Sequence, residues 1–222
     1  MEPVSADTSM PAFRERAERH ASRGQFLSLA IELVRATGIS RWGKHVGEEA
    51  AAATLPGARG EVISLQERWS RGPLVVVFYR GGWCGSCIRQ LRAWEANVAA
   101  LASLGASLVA VAPEPVDRLR DTVRTHKLSF PVLSDERLEA AGAFDVALSL
   151  PPELVELYAF VGADAPVLDA RGQWAMPIPA TFLVGCDGRI LFAHVDMDGP
   201  ERTAPAKGIR LVRRVRSGRA LG

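Results

Sequence analysis

Apolar residues run without interruption through PLVVVFY (73–79), and ASLVAVAP (106–113) is apolar but for one serine. Such runs, with no polar face, predict strands buried on both sides. Between them, from Cys84 to about Leu104, the period changes. Cys87, Ile88, Leu91, Trp94, Val98 and Leu101 share one face of a helix, and Gly105 ends it. PVDRLRDTVRTHK (115–127) reads as a second helix, FPVLSD (130–135) as a short strand and ERLEAAGAF (136–144) as a further helix. The order β-α-β-α-β predicts a parallel sheet with right-handed crossovers. PATFLV (179–184) and RILFAHV (189–195) flank GCDG, an Asp-Gly turn that predicts an antiparallel hairpin. A parallel core closed by such a hairpin is the thioredoxin-type arrangement. The expected fold is α/β and thioredoxin-like, a central mixed sheet with flanking helices.

The rest is less periodic. Residues from about Pro11 to Thr37 read as helix, with Phe26, Leu27, Ala30, Ile31 and Val34 as its apolar stripe. The division expected is an N-terminal helical extension over 1–43 and a thioredoxin-like domain over 44–222. Residues 38–60 read as an irregular entry segment, and EVISLQERW (61–69) as a short strand and a helical turn. A long excursion, Asp145 to Met176, holds the helical pattern LPPELVELYAF and then a loop. The tail IRLVRRVRSGRALG, with five arginines, reads as a solvated helix end or frayed tail.

Composition narrows the function. The 222 residues are 48% hydrophobic, so a full core needs no staples, and a net charge of +2 does not mark a nucleic-acid binder. No segment is long and apolar enough to span a bilayer, and the N-terminus lacks the apolar core of a signal peptide. Three cysteines are too few for a secreted disulfide scaffold. The cytoplasm is the expected location.

Two of the three cysteines, Cys84 and Cys87, stand where the first buried strand meets its helix. A helix N-terminus offers partial positive charge and unpaired N–H groups, which stabilise a thiolate. Cys84 lies at the very start and is expected to be exposed and acidic; Cys87 falls on the apolar face and is expected to be buried. That asymmetry suits exchange in two steps, with Cys84 attacking a substrate sulfur and Cys87 then releasing it. Trp83 would supply an apolar platform, and Gly81 and Gly82 would let the loop bend and a partner approach. Zinc would need about two more ligands. The candidates Cys186, His20, His45, His126 and His194 form no second paired motif. Two inert buried cysteines are the other alternative. No metal or cofactor is expected.

The segment FYRGGWCGSCIRQL resembles the active-site segment of the peroxiredoxin-like branch of the alkyl hydroperoxide reductase C/thiol-specific antioxidant family. VAPE, FPVLSD, LPPELVELY, MPIPATFLVGCDGRI and AHVDMD follow in the family's order, over roughly Gly47 to Pro205. The resemblance implies a thioredoxin fold and thiol-dependent antioxidant chemistry, with Cys84 as nucleophile and Cys87 as its partner. The implied substrates are a protein or small-molecule disulfide, or a hydroperoxide. The implied reductant is a thiol system of thioredoxin type. Nucleic acid and membrane are not implied, and oligomerisation is left open. A non-catalytic redox-sensing module is the alternative of a different class.

The departures from the family bear on mechanism. Gly81 stands where peroxiredoxins proper carry Thr or Ser, and Pro179 where they carry an arginine, so direct peroxide reduction is expected to be slow. Thioredoxins keep a cis-proline at that second position, facing the cysteine pair. The Ile178–Pro179 bond is therefore expected to be cis and packed against Cys84, with Ile178 presenting its N–H and C=O to an extended substrate. Gly82, Trp83, Ile178 and Pro179 make up the expected substrate-binding set. Phe78 occupies the place of the buried acid of thioredoxins, so proton transfer needs another group.

Overall fold

The computed structural model describes residues 43–150, Val155, Tyr158, 167–195 and 203–216. Nearly all of the expected N-terminal extension and most of LPPELVELYAF lie outside them. A five-stranded mixed sheet forms the centre, in the order β10-β9-β3-β4-β5. Its strands are β3 (Leu74–Phe78), β4 (Ser107–Ala112), β5 (Val132–Ser134), β9 (Ala180–Val184) and β10 (Ile190–Val195). β3, β4 and β5 pair in parallel; β9 runs antiparallel to β3 and to β10. This is the expected parallel core with its hairpin. The hairpin turns through Gly185–Gly188, where the Gly188 N–H donates to Gly185 O at 3.0 Å.

Strand β3 shows why the apolar runs are continuous. Leu74, Val76 and Phe78 enter one core. Val75, Val77 and Tyr79 enter the other. Burying each such side chain stabilises by about 1.5–3 kcal/mol, so a central strand with no polar position is favoured over an alternating one. On the first face Phe78, Phe144 and Phe182 pack as a triangle, with ring centroids 5.2–6.1 Å apart. The second face is covered by helices α2 (Gly85–Glu95), α3 (Val98–Ser103), α4 (Val116–His126) and α6 (Pro205–Arg216), through residues such as Leu91, Leu101, Leu119 and Val212.

Four sequence expectations change. The helix expected from Cys84 to Leu104 is two helices, α2 and α3. Asn97 breaks it, with its N–H bonded back to Trp94 O at 2.8 Å and its side-chain amide to Ala93 O at 2.9 Å. The entry segment contains β1 (Thr54–Pro56), which pairs antiparallel with β2 (Val62–Ser64) ahead of the short helix α1 (Leu65–Arg71). The excursion is not a bare loop. β6 (Ala147–Ser149), after the short helix α5 (Glu139–Ala143), forms a second sheet with β7 (Val167–Leu168) and β8 (Trp174–Pro177). The described part of the basic tail, 209–216, is the end of α6, which packs on the core through Ile209 and Val212 and leaves Arg210 and Arg213 exposed. Among the described residues, no helix is long and apolar enough to cross a membrane.

Candidate active site around Cys84

The site grows from the end of β3. After Phe78 the chain leaves the sheet through Tyr79 and Arg80 and turns at Gly81, whose φ of +141° suits glycine alone. Gly81 O accepts from the Cys84 N–H at 3.1 Å, which closes the turn. Cys84 then caps α2: its carbonyl accepts the helix's opening bond from the Ile88 N–H at 3.0 Å. No acidic residue stands in the first turn of α2 to offset the positive end of the helix. A side chain at position 81 would meet Trp83 Nε1 at 2.7 Å and Glu114 Oε1 at 2.8 Å. The turn therefore has no room for the hydroxyl residue that peroxiredoxins proper carry there.

Cys84 is held well below the ordinary thiol range, at about 5 instead of 9.0. The largest cause is hydrogen bonding from the Cys87 side chain; the Ser86 hydroxyl, the Arg80 charge and the Cys87 backbone N–H add to it, against the opposing effect of burial. The Ser86 hydroxyl lies 3.4 Å from the Cys84 sulfur. Contrary to the expected exposure, Cys84 is only 3% exposed; Cys87 is fully buried. Position at a helix end does not by itself set exposure. In the fold, Cys84 belongs to the core of the second sheet face, and Trp83 packs against the cores of both faces. The buried Tyr158, from the excursion, senses Arg80 and Cys84 electrostatically; burial is the main force raising its hydroxyl pKa.

Two residues of the site were missed by sequence reasoning. Arg80 is 6% exposed, and its Nε and Nη1 atoms have no hydrogen-bond partner among the described residues. A guanidinium is rarely buried without partners, because desolvating it is costly. Its charge lowers the Cys84 pKa. The available signal was an arginine closing an otherwise apolar strand four residues before a cysteine. Glu114, 8% exposed, accepts the Gly82 N–H at 2.9 Å through Oε2. It comes from the segment after β4, far from the cysteines in sequence.

The proline expectation is corrected. No peptide bond among the described residues is cis, so Ile178–Pro179 is trans. The reason lies in β6. Ala147 pairs with Pro177, and the Ile178 N–H donates to Val146 O at 2.8 Å. The chain's own strand thus takes the N–H that an extended substrate was expected to use. Ile178 and Pro179 are both buried. Gly82 and Trp83 are half-buried beside Cys84, with the Gly82 N–H already engaged by Glu114. Cys186 is exposed, in the hairpin turn. Among the described residues, no three His, Cys, Asp or Glu side chains are grouped to hold a metal.

A mixed sheet of this order, with two thiols at the joint of its central strand and the following helix, is of the thioredoxin-like class. The sequence profile of the AhpC/TSA family matches residues 46–193, and the chain belongs to that family. A Mycobacterium tuberculosis protein described as "Putative peroxiredoxin Rv2521" is 32% identical over 101 residues. That match spans 44% of this chain and 64% of the relative's length. Among solved structures, peroxidoxin BcpB from Mycobacterium tuberculosis superposes with a TM-score of 0.62 at 20% identity, covering 79% of this chain and 99% of that one. Xanthomonas campestris peroxiredoxin Q gives 0.55 at 16% identity, covering 74% and 90%. At these identities the structural likeness speaks for the fold.

Proposed function

We propose that this protein is a thiol-dependent oxidoreductase of antioxidant type, working through a Cys84–Cys87 dithiol/disulfide pair. The observation that carries the reading is the state of Cys84: an acidified thiol on a helix N-terminus, hydrogen-bonded by Cys87. The Cys84 thiolate attacks one sulfur of a disulfide substrate, expelling the other as a thiolate. The Cys87 thiol loses its proton and attacks the Cys84 sulfur, expelling the second substrate thiolate and leaving the Cys84–Cys87 disulfide. Two equivalents of an external thiol, as in a thioredoxin-type system, return the pair to dithiol with formation of a disulfide. A reducing compartment such as the cytoplasm suits this cycle.

Arg80 favours a second reading in which the oxidant is a hydroperoxide. The Cys84 thiolate attacks the terminal oxygen, the O–O bond breaks, and an alcohol or water leaves with one proton. The resulting sulfenic acid condenses with the Cys87 thiol, releasing water and giving the same disulfide. Two buried guanidinium nitrogens that have no partner among the described residues, and whose charge acts on the thiolate, suit developing charge on the peroxide oxygens.

The test is to oxidise reduced protein with one equivalent of a small disulfide or of hydrogen peroxide, block free thiols, and map the linkage by mass spectrometry. The expected product is a reducible Cys84–Cys87 link from at least one oxidant. Free thiols throughout, or a mixed disulfide resting on Cys87, would overturn the cycle. In a Cys87→Ser variant the substrate remains attached to Cys84 and is identified directly.

A further inference from the structure

Glu114 lies in the sequence Pro113–Glu114–Pro115, so both neighbours have fixed φ and its own backbone is restricted. Its carbonyl accepts from the Ser134 hydroxyl at 2.6 Å, which ties the segment to β5. Its side chain reaches the turn that presents Cys84. Oε2 accepts the Gly82 N–H at 2.9 Å, and Oε1 lies 2.8 Å from where a Cβ on Gly81 would stand. Gly81 O in turn accepts the Cys84 N–H. A continuous series of contacts therefore runs from the sheet edge through Ser134 and Glu114 to the two glycines and the reactive sulfur.

We infer that Glu114 is a positioning residue for the reactive pair: by holding the Gly82 N–H it fixes the turn that sets Cys84 on the helix N-terminus. This deepens the function proposed above and rests on it only in taking Cys84 as the reactive thiol. The turn carries glycine at two successive positions, and glycine has the most conformational freedom to lose, so an external anchor matters more here than elsewhere. The anchor is charged, and a backbone N–H bonded to a carboxylate is held about twice as strongly as one bonded to a neutral acceptor.

Position and charge make opposite predictions. Glu114 and Cys87 both bear on Tyr79, whose pKa is raised mainly by burial and further by each of them, so the carboxylate lies in the electrostatic surroundings of the site. If Glu114 acted on Cys84 only as a nearby negative charge, removing it would make Cys84 more acidic. If it acts by holding the turn, removing it loosens Cys84 from Cys87, Ser86, Arg80 and the helix end, and Cys84 becomes less acidic.

The experiment measures the Cys84 thiol pKa from the pH dependence of iodoacetamide alkylation, resolved by peptide mass spectrometry, in reduced wild type and in Glu114→Ala, Glu114→Met and Glu114→Gln. Ala and Met, which lack an acceptor, are expected to raise the pKa by about one unit or more. In acid the thiolate fraction then falls about tenfold while each thiolate becomes about threefold more nucleophilic, so alkylation slows about threefold. Gln keeps an acceptor without the charge and is expected to hold the wild-type pKa or lower it. An unchanged or lowered pKa in Ala or Met overturns the inference, as does a Gln variant that rises as far as Met. Met and Gln are near-isosteric with Glu, so their contrast decides the matter even if Ala unfolds. The readout needs no substrate, so a failed disulfide cycle leaves it intact and a failed anchor leaves the cycle intact.

Discussion

In the proposed Cys84–Cys87 couple, a stabilised Cys84 thiolate stabilises the reduced form, and this would set the reduction potential of the pair. With Cys84 titrating at about 5 instead of 9.0, the thiol is ionised across the neutral range. At pH 7 the gain over an ordinary thiol is two pKa units, about 2.7 kcal/mol. For a two-electron couple that makes the disulfide more oxidising by about 60 mV. The proton count gives a sharper signature. Below pH 5 reduction takes up two protons, and the potential falls by about 59 mV per pH unit; above it reduction takes up one, and the slope halves to about 30 mV. The assay equilibrates the protein in glutathione buffers at a series of pH values, quenches with acid, and counts disulfide by mass spectrometry. A slope change near pH 5 is expected. A single slope of about 59 mV through neutrality would refute the reasoning, because it would mean that both thiols are protonated there. Arg80→Met removes one cause of the acidity and is expected to lower the potential across the neutral range.

Cys87→Ala removes the largest cause of the Cys84 acidity, a hydrogen bond to a charged group worth about 1.5–3 kcal/mol, so the Cys84 pKa should rise by about one to two units, while Cys87→Ser, which keeps a donor, should raise it less; alkylation against pH decides. Because the Cys84 pKa is lower folded than unfolded, its contribution to the stability of the reduced protein is complete above about pH 9.0 and lost as pH falls through 5. The gap in unfolding free energy between reduced wild type and Cys84→Ser should therefore widen from pH 5 to 9, and a flat gap would contradict the assigned pKa. Arg80→Met should raise Tm while slowing peroxide oxidation, since it removes two buried nitrogens that have no partner among the described residues; a lower Tm would show that Arg80 is a net structural asset. Gly72→Ala places a methyl 2.1 Å from Gly105 O, a backbone atom, and should destabilise by about 1–3 kcal/mol in thermal unfolding, with an unchanged Tm counting against the close approach.

The central sheet was legible because Leu74–Phe78 is apolar throughout and Leu108–Ala112 likewise, the pattern of a strand covered on both faces. The three-stranded second sheet was not. Its strands run from two to four residues, too short to show a period of two. The two cysteines were legible from spacing and from the change of period at Cys84. Arg80 was passed over because a charged residue after a strand reads as the start of a loop, and nothing local says that it is buried. Glu114 belongs to the site only through the parallel register of β3 and β4, which pairs Phe78 with Val111 and brings their two following segments together. The trans bond at Pro179 could not be read from the hairpin alone. It depends on β6, whose carbonyls arrive from more than thirty residues earlier.

The nature of the oxidant turns on access. A protein disulfide has to bring a chain segment alongside Cys84 and pair with its surroundings. The two backbone donors that would receive it are engaged: Ile178 N–H by Val146 O and Gly82 N–H by Glu114. Cys84 is 3% exposed, so such a substrate must first displace intramolecular hydrogen bonds, each worth about 0.5–1.5 kcal/mol net and more where the acceptor is charged. A hydroperoxide or small disulfide needs neither donor and needs little room. Arg80 separates the small oxidants from one another, because its buried nitrogens, which have no partner among the described residues, can bind oxygen but offer a neutral disulfide sulfur little. Within the proposed cycle, the occupied strand edge weighs for a small oxidant over a protein disulfide, and the buried guanidinium weighs for a hydroperoxide among small oxidants. Comparing oxidation rates of reduced protein by hydrogen peroxide, a small aromatic disulfide and an oxidised protein partner tests this order, and a protein disulfide reacting fastest would show that the turn opens more readily than its hydrogen bonds suggest.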